Sequence, residues 1–454
     1  MHLHDIIAHY HSLLDEKNAP EIFAHLDRSL RERGMLVGKQ RDRLVCSVLR
    51  PRFIIDAQYT MLERAATLVG RAIRKIGAAA LEDESLLEPY ALTAQERELL
   101  RIDPGYLGAS VFGRLDGFLA ADGSTCYFVE SNLESPAGIA YDEALAEIFS
   151  ELDVMQDFRQ RFHAEPLAHR QPLQQLLLDT YHAWGGSGTP TVAIVDFREA
   201  VTMSEFVHLR DRFIAAGMPT VVADPDELRY ENGRLYAGNT PIDLVYRRVL
   251  QHEFLARYDL SHTLVQAYAD HAVCVVNPFR TKPVHTKLIM ALLSDEDGPA
   301  HALLDADERA AIAQHVPWTR YVHAGPTRYV GERVDLLDFA RRNRERLALK
   351  PNDDYGGAGV LLGWETDTAT WERTLAAAQH APFVAQERVP LPVEDYPTWT
   401  AEEGLRFTPR YVDSDPLVVG DKATGCLTRI ATTSLLNVSA GGGSAPPTFL
   451  VRER

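Results

Sequence analysis

At 454 residues, 46% hydrophobic and 24% charged, the chain has the make-up of an ordinary globular protein of two or three domains, large enough to enclose an active site. No apolar run approaches the roughly 20 residues of a membrane helix, and the N-terminus lacks a basic segment followed by a long apolar one, so a membrane-spanning or secreted role is not expected and the chain is placed in the cytoplasm. A formal charge of −17 disfavours nucleic acid, whose phosphates need a basic face, but leaves room for a small anion held by locally gathered cations.

Cys46, Cys126, Cys274 and Cys426 are far apart, form no CxxC pair and read as buried thiols. Residues 1–100 read as a helical N-terminal region, with apolar side chains three and four apart in Ile22, Phe23, Leu26 and Leu30 and again in Met61, Leu62, Ala65, Leu68 and Val69. His2, His4, His9 and His11 lack an HExxH pattern and read as surface residues.

From Gly113 the texture changes to strands and turns. A turn at Ala121-Asp122-Gly123-Ser124 leads into an apolar strand from Cys126 that ends on Glu130 and Asn132. Residues two apart on a strand share a face, so these two offer oxygens to one hard cation, Asp116 on the paired strand adds a third, and Arg114 lies beside it. Two carboxylates and an arginine converging there would strand charge unless metal and anion bind. Residues 141–149 read as a helix carrying Glu147.

The glycine-rich stretch 184–190 reads as a linker. After it, strand 191–195, helix 204–216, strand 220–223, a hairpin around Asn232 and Gly233, and strand 242–246 suggest a small α/β subdomain with a parallel sheet. Asp196, Arg198, Arg247 and Arg248 follow strand ends, where open α/β sheets bind ligands; Arg247 and Arg248 read first as a structural pair and second as a substrate site.

Strand 272–276 precedes Lys282 and Lys287, which sit where helix 286–293 begins. Lysines there oppose the helix dipole unless an anion is bound, which makes one of them a phosphate ligand. Helix 335–347 feeds LKPNDDYGGAGVLLG at 349–363, which reads as strand, loop and strand. Gly356, Gly357 and Gly359 allow main-chain N–H groups to close over a phosphate chain, with Lys350 before the turn and Asp353 and Asp354 within it. The lysine precedes the glycines, unlike a Walker loop, and the GxGxxG spacing is absent. Strand 383–389 could offer backbone groups to an adenine ring. Arg429, followed by a second glycine loop from Ala440 to Ser444, suggests another anion cradle, and the apolar 448–451 reads as a packed end.

In this order the motifs resemble an ATP-grasp enzyme, within the circularly permuted group that includes glutathionylspermidine synthetases and eukaryotic glutathione synthetases, over roughly residue 107 to the C-terminus. Arg114-Leu-Asp116 matches that group's R-x-D, Glu130-Ser-Asn132 its E-x-N, and Lys350 to Gly357 its lysine-then-glycine loop. The ending TRIATTSLLNVSAGGGS looks like poorly characterised permuted ATP-grasp proteins and departs from the glutathione-pathway enzymes, whose substrates are therefore not carried over.

The resemblance implies an α/β (α+β) protein of circularly permuted ATP-grasp fold: helical region 1–100, a metal and substrate part of the core at 101–184, a pre-ATP-grasp-like α/β subdomain at 185–275 and ATP-binding subdomains at 276–454. It implies ATP and Mg²⁺ as cofactors. Asp116, Glu130, Asn132 and Asp354 would be metal ligands, and Arg114 and Arg429 catalytic. Lys282, with Lys287 as the alternative, Lys350, Gly356, Gly357, Gly359, Gln386, Glu387 and Val389 would bind nucleotide. The implied activity is amide formation between a small-molecule carboxylate and an amine through an acyl phosphate. No nucleic-acid or membrane partner is expected, and a homodimer is left open. The competing readings are a catalytically silent nucleotide-binding scaffold and a small-molecule kinase.

Overall fold

The stretches on either side of the 121–124 turn pair as an antiparallel hairpin, Phe112–Leu119 with Cys126–Asn132, in a computed structural model that describes every residue except 1, 39, 41, 109, 168–172, 355, 421, 437 and 439–442. Ser124 donates its N–H to Asp122 Oδ1 at 3.0 Å, and Gly123 takes φ +71°, a left-handed angle that glycine adopts without a Cβ clash. The hairpin is half of a four-stranded antiparallel sheet in the order Lys422–Leu427, Asp415–Val419, Phe112–Leu119, Cys126–Asn132. A second antiparallel sheet runs Thr319–Tyr321, Phe383–Glu387, Leu347–Pro351, Leu361–Leu362.

The helix Asp56–Glu82 buries Leu62, Ala65, Ala66, Val69, Ala72, Ile73 and Ile76 and packs on the back of the first sheet. Its approach is close because Gly70 has no side chain: a Cβ there would lie 2.7 Å from Val418 Cγ1, an overpacking that costs about 1–3 kcal/mol. The helices Leu288–Ser294 and Ala306–His315 join the same apolar core. They bring the second sheet against the hairpin.

The α/β segment forms a four-stranded parallel sheet, Cys274–Val276, Leu244–Arg247, Val192–Val195, Thr220–Ala223. The apolar end of the chain is packed, as its composition suggests: Thr448–Glu453 lies between Arg52–Ile55 and Phe162–Pro166. All four cysteines are buried and free. Among the described residues no helix is long and apolar enough to cross a membrane.

Several boundaries differ from the sequence reading. The expected strand 242–246 is two elements: Ile242 closes a side sheet of Leu228–Glu231, Arg234–Ala237 and Thr240–Ile242, and the parallel strand starts at Leu244. Between them, Asp243 accepts the Thr191 N–H at 2.9 Å and breaks the run. The expected helix 286–293 is two helices, Lys282–His285 and Leu288–Ser294, parted by extended Thr286. The helix expected over 335–347 is shorter, Leu336–Arg342, with Asp335 capping it by accepting the Asp338 N–H at 3.0 Å. The strand Lys422–Leu427 was not anticipated.

Candidate active site

Strand register sets the first half of the site. Arg114 pairs with Asn132 and Asp116 with Glu130, so all four lie on one hairpin face, while Leu115 and Ser131 point to the other and are fully buried. The ladder shifts register after Asp116. Asp116 accepts two bonds from Arg114, at 2.7 Å from Nε and 3.0 Å from Nη2, and a third from Arg429 Nη2 at 2.8 Å. Burial alone would raise the Asp116 carboxyl, but the two guanidiniums hold it well below the usual carboxylate range. Arg114 also donates to the Ala137 carbonyl at 2.8 Å.

Arg429 comes from the segment after Lys422–Leu427 and meets three carboxylates. Its Nε lies 2.7 Å from Asp413 Oδ2 and 3.1 Å from Asp415 Oδ2, beside the Asp116 contact. Burial raises the Asp413 carboxyl, and that of Asp415 well above the ordinary range, against the pull of Arg429.

The second half of the site is cationic. Lys287 occupies the N-cap position of the helix Leu288–Ser294 and sets its ammonium 3.0 Å from Glu130 Oε1 while donating to the Asp354 carbonyl. Lys282 pairs instead with Asp353 and, at 3.1 Å, with Glu96. Burial alone would lower the Lys282 ammonium, yet Asp353, Glu134 and Glu96 hold it above its ordinary value. Lys350, in Leu347–Pro351, donates to Gln386 Oε1 at 2.6 Å and to the Val129 carbonyl at 3.4 Å. Burial lowers Lys350 to about 8, with Glu130 partly opposing that. Gln386 donates to the same Val129 carbonyl at 3.2 Å and to Thr319 Oγ1 at 3.1 Å, so one amide ties both sheets.

The glycine loop runs directly past these lysines. Gly356, Gly357 and Gly359 all have positive φ, at 65°, 78° and 65°. A Cβ on Gly359 would lie 2.7 Å from Pro351 Cγ and 3.7 Å from Asp354 Oδ2, so the Asp354 carboxylate sits across the turn. Asn352 anchors the loop to the Leu288–Ser294 helix: its carbonyl accepts the Lys287 N–H at 3.0 Å and its Oδ1 the Leu288 N–H at 2.8 Å. At the strand end, Glu387 N–H is taken by the Trp318 carbonyl and Arg388 N–H by that of Arg346, and the Glu387 carboxylate accepts the Tyr329 hydroxyl at 2.6 Å. Val389 lies just beyond and is 9% exposed. Most of the second glycine loop, Ala440 to Gly442, lies outside the described residues, whereas Ser444 beyond it bridges to Ile430 and shares a 2.8 Å hydroxyl contact with Ser47.

Sequence reasoning missed Asp413, Asp415, Asn352, Glu96 and Glu134. Glu134 is fully buried on Arg247 and accepts the Gln251 N–H at 2.9 Å. Arg247 spends its other donors on the Asn277, Val249 and Pro278 carbonyls, which is a structural role. Arg198 pairs with Glu227 at the surface.

Asp116, Glu130 and Asn132 are an all-oxygen donor set on one face, the chemistry a hard divalent cation takes. Among the described residues no three His, Cys, Asp or Glu side chains are gathered as a metal cage. The reason is visible: these carboxylates are turned onto Arg114, Arg429 and Lys287. Around the cleft the acids Asp116, Glu130, Asp413 and Asp415 face the bases Arg114, Arg429, Lys287 and Lys350. Glu130 is partly exposed, with 24% of its side chain accessible, so a cation can reach it.

A family model described as circularly permuted ATP-grasp type 2 matches residues 118–431. A putative glutamate–cysteine ligase 2-2 of Frankia casuarinae is 24% identical over 350 residues, 70% of this chain, which spans 36% of that protein's length. Among solved structures, the glutathione synthetase-like effector GSS30 of Globodera pallida, in its apo form, superposes with a TM-score of 0.62 at 11% identity, covering 96% of this chain and 98% of that one. That likeness is one of fold. A putative gamma-glutamylcysteine synthetase of Methylobacillus flagellatus KT matches at a TM-score of 0.39 and 13% identity, covering 84% and 88% of the two chains.

Proposed function

The chain belongs to the circularly permuted ATP-grasp type 2 family, and on that footing we propose that it is an ATP-dependent carboxylate–amine ligase whose nucleotide sits between the hairpin face and the second sheet. The observation that carries this reading is the meeting of Lys350 with the Val129–Glu130 strand, because it gathers phosphate-binding cations and oxygen donors in one cleft.

In this reading Lys350, Lys287 and Lys282 neutralise phosphate oxygens, and the N–H groups of the Gly356–Gly359 loop close over them. The end of Phe383–Glu387, through Glu387 and Val389, faces the adenine while the Gln386 side chain holds Lys350 in place. Asp116, Glu130 and Asn132, with Asp354 from the loop, would hold Mg²⁺, which when bound supplies charge neutralisation on the phosphates. A carboxylate oxygen of the acid substrate attacks the γ-phosphorus and ADP leaves. The amine nitrogen then attacks the acyl carbon, inorganic phosphate leaves, and the amine gives up a proton. Arg114 and Arg429 would stabilise the negative charge that grows in both steps, where fixed donors lower a barrier most.

The glycine loop shields the acyl phosphate from water. The test is ADP release on screening carboxylates and amines with Mg·ATP, followed by trapping with hydroxylamine. A hydroxamate formed in step with ADP supports ligation; ADP with a phosphorylated product and no hydroxamate contradicts it.

A further inference from the structure

We propose that Asp415, assisted by Asp413, is a positioning residue that keeps Arg114 and Arg429 in place when Asp116 turns from them to a divalent cation. This rests on the ligase reading above. Asp116 accepts three N–H bonds from the two guanidiniums, and an ionised carboxylate has about four acceptor sites in all. A further bond from Asn132 takes the remaining site, so Asp116 enters a metal shell only by giving up bonds it now holds, and three of those four are the arginines'.

A loosened guanidinium in a buried cluster is costly unless another acceptor receives it. Asp415 stands where that acceptor is needed. It is wholly buried, and its Oδ2 lies between the two arginines, 3.1 Å from Arg429 Nε and 3.7 Å from Arg114 Nε. That oxygen makes no well-formed hydrogen bond among the described residues, so it has capacity to spare. Its other oxygen is fixed by the Gly117 N–H at 3.2 Å.

Both strands shift register at this point, after Asp116 on one and after Asp415 on the other, and such irregularities re-aim side chains. Asp413 also holds Arg429, accepting the Arg429 backbone N–H at Oδ1 and its Nε–H at Oδ2. Arg429 is thus gripped by two carboxylates that need never leave it, while the third is free to exchange.

The test is Mn²⁺ binding to the intact protein in the presence of ADP, read by electron paramagnetic resonance. Asp415→Asn keeps an oxygen for the Gly117 N–H but cannot receive a guanidinium. The Mn²⁺ dissociation constant is expected to rise about tenfold, the size of loss typical when a group supporting a metal ligand is removed. Binding of metal-free ADP should not change. In an Arg429→Met background the same substitution should change Mn²⁺ binding by less than about twofold, because the residue acts through that arginine.

Arg429→Lys, which keeps charge without the fork, replaces Arg429→Met should the latter not fold. Wild-type Mn²⁺ affinity in Asp415→Asn, or an equal loss in both backgrounds as a pure charge effect would give, overturns the proposal. Failure of the wild-type protein itself to bind Mn²⁺ with ADP overturns the ligase reading as well, and is read from a different sample.

Discussion

Lys350 donates a hydrogen bond to the carbonyl of Val129, 221 residues away in sequence, and thereby sets its ammonium beside the carboxylate of Glu130. The contact is demanding for the fold. A partly buried ammonium lowered to about 8 when ordinary lysine titrates at 10.5 is held at a cost, about 3 kcal/mol at neutral pH. The unfolded chain binds more protons than the folded one between pH 8 and 10.5, so this cost disappears as pH rises through that window. Lys350→Met should therefore melt no lower than wild type at pH 7, even though Gln386 loses a donor, while ATP turnover falls by at least about a hundredfold. Calorimetry and ADP release on one preparation check both halves.

The same titration gives a pH signature. Phosphate binding favours the charged lysine, so affinity for ATP should be flat up to about pH 8 and weaken above it as the Lys350 ammonium deprotonates. Lys350→Met should show weak binding with no slope between pH 7 and 9. A wild-type affinity that is unchanged at pH 9.5 would exclude Lys350 from the phosphate site.

Asp196 follows the strand Val192–Val195, and burial raises its carboxyl to about 7 although Arg248 pulls the other way. The folded protein here holds a proton that the unfolded chain has lost, so stability should fall as pH rises from about 4 to 7. Asp196→Asn should remove that slope and raise stability at pH 8 by up to about 4 kcal/mol, with no gain at pH 4. Urea unfolding at the two pH values measures it.

Gly359→Ala puts a methyl group 2.7 Å from Pro351 and forces alanine into φ +65°. Strain confined to this loop should cost about 1–3 kcal/mol and lower kcat/KM for ATP more than it lowers Tm. Steady-state kinetics beside a melting curve separates the two, and unchanged kcat/KM would show that the loop does not close on the nucleotide.

Much of the candidate site's geometry could be read from local spacing. The hairpin face follows from Arg114 and Asp116 being two apart on one strand and Glu130 and Asn132 two apart on the next, since strand periodicity is 2. The lysine-then-glycine order around Lys350 located the loop. Asp413 and Asp415 were not visible in the same way. They sit in YVDSDPLVVG, which reads as a polar flank to an apolar strand, and only the long-range pairing of Asp415–Val419 with Phe112–Leu119 carries them under Arg114. Asn352 was hidden for a related reason: its partner is the start of a helix 64 residues earlier.

The pairing of Arg52–Ile55 with Thr448–Glu453 joins opposite ends of the chain, and no local pattern encodes it. Ile242 was assigned to the wrong strand because an apolar run does not record the Asp243 side chain that interrupts it.

Mg·ATP binding should stabilise the fold: at about 100 times its dissociation constant the linkage is about 2.7 kcal/mol, a Tm rise of a few degrees for a chain of this size. The absence of any shift at millimolar Mg·ATP would argue against a nucleotide in the cleft.

The decisive measurement is a calorimetric titration of Mg·ADP into wild type, Glu130→Gln and Lys350→Met. One nucleotide per chain with at least about thirtyfold weaker binding in each variant, roughly 2 kcal/mol apiece, is expected if acidic groups of the hairpin and basic groups of the second sheet share a single nucleotide. Wild-type affinity in either variant would contradict it.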